Sequence, residues 1–95
     1  MRVRALVAWN LRRQRVAKKL TQEALGLLAG FEPSYVGRIE RGRENTTIET
    51  LEALADALEA AVSEFFVVPE PGAERPGTMR PGRKPKQPRE RDQAP

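Results

Sequence analysis

The sequence predicts an all-α protein of five helices with a disordered C-terminal tail. No stretch between Met1 and Val68 shows the sustained alternation of apolar and polar residues that is typical of a strand. Five stretches instead place apolar residues at helical intervals. The last 27 residues hold seven prolines, three glycines and no aromatic residue, so they cannot bury enough apolar surface to fold. We therefore expect one folded domain at 1–68 and a disordered Pro/Arg/Lys-rich tail at 69–95.

The first two predicted helices differ in how clearly their ends are marked. The first runs from about Val3 to Lys18 and has a thin apolar stripe with lysines at its end, where cations suit the helix dipole. The second begins at Thr21, whose hydroxyl suits an N-cap. It ends at Gly30, because glycine favours the left-handed conformation of a helix C-cap.

The remaining three helices are predicted from the same kinds of signal, namely the residues at their ends and the spacing of their apolar residues. The third covers about 33–41: Pro33 fits a first turn, where a missing N–H costs nothing, and Gly42 stops the helix. The fourth starts after Thr47 as N-cap and has an apolar stripe made of Ile48, Leu51, Leu54, Ala55 and Leu58. The fifth is a short stub at about 62–67 that brings two phenylalanines to close the core.

The sequence contains neither cysteine nor histidine. The first absence excludes disulfides and thiolate zinc sites, and the second removes the commonest catalytic base and metal ligand. The longest apolar runs are far shorter than a membrane span. We therefore expect a cytoplasmic protein that is not an enzyme, has no metal or cofactor and does not enter a membrane.

The charges are distributed unevenly along the chain. Residues 1–19 carry seven basic and no acidic side chains, whereas residues 44–68 carry six acidic and no basic ones. Arg38, Arg41 and Arg43 cluster between these two regions. A domain with one basic side suits a polyanion, although charged residues also simply solvate helices. Charge alone leaves both readings open.

The middle of the chain contains five short motifs in order. They are Leu-Thr-Gln opening the second helix, Ala-Gly at the turn, Ser-Tyr-Val in the third helix, Arg-Ile-Glu-Arg-Gly closing it, and an Asn before a Thr-capped fourth helix. Together they resemble the helix-turn-helix domain of the Cro and lambda-type repressors, the XRE family. The resemblance covers about Trp9 to Phe66. It implies a lambda repressor-like fold and a sequence-specific regulator of transcription that binds double-stranded DNA, most simply a repressor, with its third helix in the major groove.

The resemblance also implies roles for individual residues. Four residues of the third helix are expected to read bases: Pro33, Ser34, Tyr35 and Arg38. Arg38 is the best reader, because its guanidinium suits O6 and N7 of guanine. Five residues are expected to contact the DNA backbone: Thr21, Gln22, Arg41, Arg43 and Asn45. Two alternatives stay open, since Gln22 can be a plain solvated residue and Tyr35 can be a lid on the core.

Two further sets of residues follow from the resemblance. Arg15 and Glu40 match a pair that the family joins by a partly buried salt bridge between the first and third helices. Members of the family usually bind two half-sites as dimers, so a homodimer is expected. The candidate residues for its contact are Val62, Phe65, Phe66, Val67 and Val68. The alternative is that these apolar residues only complete the core.

Three alternatives to a simple repressor remain. The chain can be an antitoxin, or a restriction-modification controller that regulates its own promoter. It can also be a protein-interaction module that keeps the fold without reading DNA. Leu27 and Leu28 bear on a protein partner, because both stand where the family commonly has charged residues. We expect Leu28 to be core and Leu27 to be a single exposed residue. The basic tail is either inert or a phosphate tether.

Overall fold

The computed structural model describes residues 1–77, and their helices form one packed unit. Four α-helices come in order, α1 (Val3–Ala17), α2 (Gln22–Ala29), α3 (Pro33–Glu40) and α4 (Ile48–Leu58), and a short 3-10 helix follows at Val62–Phe66. No strand occurs within these residues, which confirms the all-helical prediction. Residues 69–77 form neither helix nor strand, and the rest of the predicted tail, 78–95, lies outside the described residues.

The count of five α-helices was wrong, because the fifth element is a 3-10 helix of five residues. Glu64 N donates to Ala61 O over 3.0 Å, a hydrogen bond that spans three residues. Such bonds close a turn with fewer residues than an α-helix needs, so they suit a short stub. The stub still closes the core, as expected, since Phe65 lies wholly inside it.

The helix ends agree with the capping signals in the sequence. Thr21 Oγ1 accepts a hydrogen bond from Ala24 N at 3.0 Å, and Thr47 Oγ1 accepts one from Thr50 N at 3.0 Å. Gly30 ends α2 with a left-handed φ of 87°. These contacts satisfy backbone groups that a helix terminus otherwise leaves without partners. They make α2 a short helix and set where the turn before α3 begins.

The core lies where all four α-helices and the 3-10 helix meet. Its buried apolar residues are Val7, Leu11, Leu25, Val36, Ile39, Leu51, Leu54, Ala55, Leu58 and Phe65. The predicted stripe of α4 is present from Leu51 onward, but Ile48 is 79% exposed. Ile48 is the first residue after the N-cap, so it lies at the edge of the domain, beyond the reach of the neighbouring helices.

Asn10, a buried polar residue of α1, holds the 3-10 helix in place. Its Nδ2 donates to Phe65 O at 3.0 Å and to Val67 O at 2.8 Å, while its Oδ1 accepts from Arg13 Nε at 3.0 Å. Arg13 also donates to Glu64 O at 2.9 Å. The bonds to Glu64, Phe65 and Val67 connect residues more than 50 positions apart.

Within residues 1–77, no helix is both long and apolar enough to cross a lipid bilayer.

Candidate nucleic-acid interface

A tight turn sets α3 directly against α2. Phe31 N donates to Gly26 O over 2.8 Å as the chain leaves α2. A Cβ atom at Gly26 would lie 3.3 Å from Glu32 O, which is tighter than ordinary contact. The absence of a side chain at Gly26 therefore lets the start of α3 approach α2 closely.

One face of α3 is buried and the opposite face carries the four predicted base-reading residues. Val36 and Ile39 lie in the core, whereas Pro33 and Ser34 are exposed and Tyr35 and Arg38 are half-buried. Pro33 is at the first turn, as expected, and lacks a backbone donor.

The exposed face of α3 is organised around Arg38. Arg38 Nη1 donates to Ser34 Oγ over 3.0 Å, and the guanidinium lies 5.4 Å from the centre of the Tyr35 ring. Tyr35 also packs on Phe31, with 5.0 Å between ring centres. Tyr35 is thus part of this face and also covers the core, so its position is compatible with both predicted alternatives.

Two acidic residues flank Arg38. Its Nε donates to Glu44 Oε2 over 2.7 Å, and Glu32 Oε1 lies 3.8 Å from its Nη1. The hydrogen bond that Arg38 donates to Glu44, together with the two negative charges, raises the pKa of the Arg38 guanidinium above its usual value. Sequence reasoning missed Glu44. The only signal for it was an acidic residue directly after Arg43, the last arginine of this stretch.

The predicted backbone contacts occupy two sides of α3. On one side, Gln22 and Arg41 converge on Gly37: a Cβ atom there would lie 3.2 Å from Gln22 Oε1 and 3.4 Å from Arg41 Nη1. On the other side, Asn45 helps to line a cavity of about 230 Å³ beside the start of α1. Arg41, Arg43 and Asn45 are all exposed.

Thr21 and Gln22 are already engaged in internal hydrogen bonds. The hydroxyl of Thr21 caps α2, and Gln22 Nε2 donates to Glu40 Oε1 over 3.1 Å. Gln22 is therefore not simply a solvated side chain. Arg41 and Arg43 differ, since neither forms an ion pair within residues 1–77.

A buried ion pair fixes α3 relative to α1. Arg15 Nε donates to Glu40 Oε2 over 2.6 Å, and Arg15 Nη2 donates to Glu40 Oε1 over 3.0 Å. Both side chains are almost fully buried. Arg15 Nη1 further donates to Leu20 O at 2.8 Å. With the bond from Gln22 to Glu40, this network joins α1, α2 and α3 behind the exposed face.

The apolar C-terminal residues are only partly available for a dimer contact. Phe65 is 0% exposed, so its place among the dimer candidates is corrected: the 3-10 helix turns this ring into the core. The other four candidates are exposed at least in part, namely Val62, Phe66, Val67 and Val68, with Val68 at 73%.

Leu27 and Leu28 are both exposed, at 81% and 63%. The expectation that Leu28 is a core residue is therefore wrong. The inward face of the eight-residue α2 is occupied by Leu25 and Gly26, which leaves both leucines on the outside.

Comparison with known proteins identifies the class of this domain. The family profile described as "Helix-turn-helix domain" matches residues 6–65, well over half of the chain. The chain therefore belongs to the helix-turn-helix family. It is a DNA-binding regulator of transcription, as the XRE-type resemblance predicted.

Three similar proteins illustrate the family. The uncharacterized HTH-type transcriptional regulator y4dJ of Sinorhizobium fredii is 47% identical over 58 residues, 61% of this chain and 75% of that protein. The control protein C.SmaI of Serratia marcescens is 37% identical over 66 residues, 70% of this chain and 79% of that protein. The structure of the restriction-modification controller C.AhdI of Aeromonas hydrophila superposes with a TM-score of 0.65 at 40% identity, covering 66% of this chain and 91% of that one.

Proposed function

We propose that this protein acts in the cytoplasm as a homodimeric repressor that binds a palindromic operator with α3 in the major groove. The observation that carries the proposal is the exposed face of α3, where Ser34, Tyr35 and Arg38 form one connected polar surface. The packing of Val36 and Ile39 in the core leaves this face outward. A helix presented in this way suits the major groove, which admits one α-helix.

The residues around α3 suit the sugar-phosphate backbone. Arg41 and Arg43 are exposed cations without ion-pair partners in residues 1–77, so their charge is available to phosphates. Gln22 lies in the first turn of α2, where backbone N–H groups favour an anion. Such contacts would orient the protein, while Arg38 would supply the preference for guanine.

The proposed dimer contact lies at the C-terminal end of the domain. Phe66, Val67 and Val68 are consecutive apolar residues that the monomer leaves partly or largely exposed. Burying them against a second copy would remove apolar surface from water. A two-fold dimer would then present two copies of α3 to successive turns of the same groove.

A second candidate within the same class is a restriction-modification controller that regulates its own promoter. The similarity to C.SmaI and to the structure of C.AhdI favours it, because this chain covers 91% of the C.AhdI chain. The two candidates differ in where the operator lies. A controller of this kind would have its operator in the DNA upstream of its own coding sequence.

Selection of duplexes from a randomised DNA pool, at near-physiological salt, tests the proposal. We expect a palindrome with half-sites about 10 base pairs apart. The controller candidate further requires that this palindrome occurs upstream of the protein's own gene. A single unpaired half-site would overturn the dimer. No enrichment, with weak and steeply salt-dependent retention, would overturn sequence-specific binding and favour a protein partner.

A further inference from the structure

The turn after α3 carries a carboxylate back to the proposed base-reading residue. Arg38 Nε donates to Glu44 Oε2 over 2.7 Å, although the two residues are six positions apart. The chain reverses at Gly42, which has a left-handed φ of 72°, and Arg43 N donates to Arg38 O over 3.2 Å. Glu44 therefore approaches Arg38 because of the geometry of this turn, and not by continuing the helix.

A second set of contacts holds the other end of the guanidinium. Arg38 Nη1 donates to Ser34 Oγ, and Ser34 Oγ donates in turn to Glu32 Oε1 over 2.6 Å. The Tyr35 ring supports the guanidinium from one face. These contacts engage two of the five N–H donors of Arg38, and Nη2 forms no hydrogen bond within residues 1–77. The remaining donors are enough for a bidentate contact with guanine.

The two carboxylates also offset the charge of Arg38. Binding of proteins to DNA without sequence preference depends on cations that neutralise phosphates. A guanidinium already paired with Glu44 adds little to that attraction. Its hydrogen bonds to a base edge still require the matching acceptors of guanine. Arg38 in this setting would contribute to binding through the base and not through the backbone.

We infer that Glu44 is the positioning residue that makes Arg38 specific for guanine. It holds the guanidinium at Nε and leaves Nη2 for the groove, and its charge keeps Arg38 from acting as a general phosphate contact. This inference rests on the proposed function, because it assumes that α3 reads bases in the major groove.

Glu44→Gln tests the inference, with Glu52→Gln as a matched control. Both variants lose one negative charge, but Glu52 is an exposed residue of α4 whose side chain forms no hydrogen bond in residues 1–77. Dissociation constants would be measured over a salt series for three duplexes: the selected operator, the operator with 7-deazaguanine at the Arg38-dependent position, and a random sequence. 7-Deazaguanine lacks the N7 acceptor and leaves the rest of the base in place.

Glu44→Gln should bind the random duplex more tightly and make its salt slope steeper by about one unit, since Arg38 becomes free for a phosphate. Its preference for guanine over 7-deazaguanine, measured as the ratio of the two dissociation constants, should fall at least about fivefold. Glu52→Gln should keep the wild-type values. In an Arg38→Ala background, Glu44→Gln should change the guanine preference no further.

Two results would overturn the inference. One is a Glu44→Gln variant that keeps the guanine preference and the salt slope of Glu52→Gln. The other is an Arg38→Ala variant that relaxes no position of the operator. Both differ from failure of the proposed function, in which the wild-type protein would select no operator at all. Unchanged thermal unfolding of Glu44→Gln would show that the half-exposed pair is not needed for folding.

Discussion

Arg15 and Glu40 form the buried ion pair that fixes the exposed face of α3 relative to α1. The guanidinium of Arg15 binds both carboxylate oxygens of Glu40 inside the protein, and Gln22 binds the same carboxylate from α2. Charges removed from water in this way are stable only as long as each has its partner. The network therefore couples the integrity of the core to the placement of α3.

Glu40→Gln should strongly destabilise the domain. It leaves the buried guanidinium of Arg15 without a counter-charge, and such a loss typically costs about 3–5 kcal/mol of the free energy of unfolding. Urea denaturation followed by circular dichroism would measure this change.

The matched control for Glu40→Gln replaces both charges with apolar residues. Arg15→Met combined with Glu40→Leu leaves no unpaired charge, so it should recover much of the lost stability. A loss below about 1 kcal/mol for Glu40→Gln alone would contradict the prediction, since that is the range of exposed pairs.

At the scale of elements, the 3-10 helix depends on α1. Asn10 supplies hydrogen bonds to two backbone carbonyls at the C-terminal end of that helix, those of Phe65 and Val67. Buried carbonyls without a donor are costly. The attachment of this element therefore relies on one amide side chain as well as on the burial of Phe65.

Asn10→Ala should lower the free energy of unfolding by about 1–3 kcal/mol, because it leaves the buried carbonyl of Phe65 and the part-buried carbonyl of Val67 without this donor. Gln14→Ala is the control: Gln14 also binds the 3-10 helix, through Glu64 Oε1 at 3.2 Å, but it is half-exposed. Its loss should cost about 0.5 kcal/mol. Equal effects of the two changes in chemical denaturation would count against a special role of Asn10.

The C-terminal end of α4 has a backbone conformation that is unfavourable for its residue. Glu59 ends this helix in the left-handed conformation, with φ of 55° and ψ of 41°. Glycine adopts this conformation without steric cost, whereas a residue with a Cβ does not. The ion pair of Glu59 with Lys18, at 3.6 Å, lies on the surface and compensates little.

Glu59→Gly should therefore raise the free energy of unfolding by about 0.5–1 kcal/mol. Lys18→Ala isolates the ion pair and should change stability by less than about 0.5 kcal/mol. Thermal denaturation of the wild-type protein, Glu59→Gly and Lys18→Ala would measure both changes in stability. A lower melting temperature for Glu59→Gly would mean that the side chain contributes more than its backbone conformation costs.

For the whole molecule, the main consequence of the fold is a division of surfaces. The exposed face of α3 lies in front of the buried pair of Arg15 and Glu40, while the exposed apolar residues after α4 lie at the C-terminal end of the domain. The proposed function assigns the first surface to DNA and the second to another copy of the chain. The proposed homodimer depends on the latter.

Val68→Glu should shift the protein from dimer to monomer, because it places a charge in the proposed contact. Val68 is largely exposed, so the change should leave the fold intact. Leu27→Glu is the matched control, being an exposed apolar residue in α2. Sedimentation would give the masses, and operator affinity should fall at least about tenfold for Val68→Glu only. A dimer that survives Val68→Glu would move the contact elsewhere.

The helix ends were predictable because they depend on neighbours in the sequence. Thr21, Gly30 and Thr47 act on backbone groups within about three residues, and the structure places all three as expected. The neighbouring residues in the sequence did not indicate which of Phe65 and Phe66 is buried. Only one of two adjacent rings can face the core, and the choice depends on how the 3-10 helix meets α1.

The candidate site likewise combines residues that the sequence predicted with a contact that it did not predict. Its residues on α3 follow from the motif, since Ser34, Tyr35 and Arg38 are close on one helix. The pairing of Arg38 with Glu44 does not follow from the motif, because Glu44 reaches Arg38 only through the turn at Gly42. The exposure of Leu28 likewise depends on how much of α2 its neighbours cover.

By itself, the sequence determined the helical class, the ends of the helices and the family. These depend on short-range hydrogen bonds and on motifs that are contiguous in the chain. Only the tertiary structure decided that Phe65 is core, that Asn10 anchors the last element, and that Glu44 holds Arg38. The physical reason is that burial and side-chain pairing join residues from different elements, and their distances are set by packing of the whole domain.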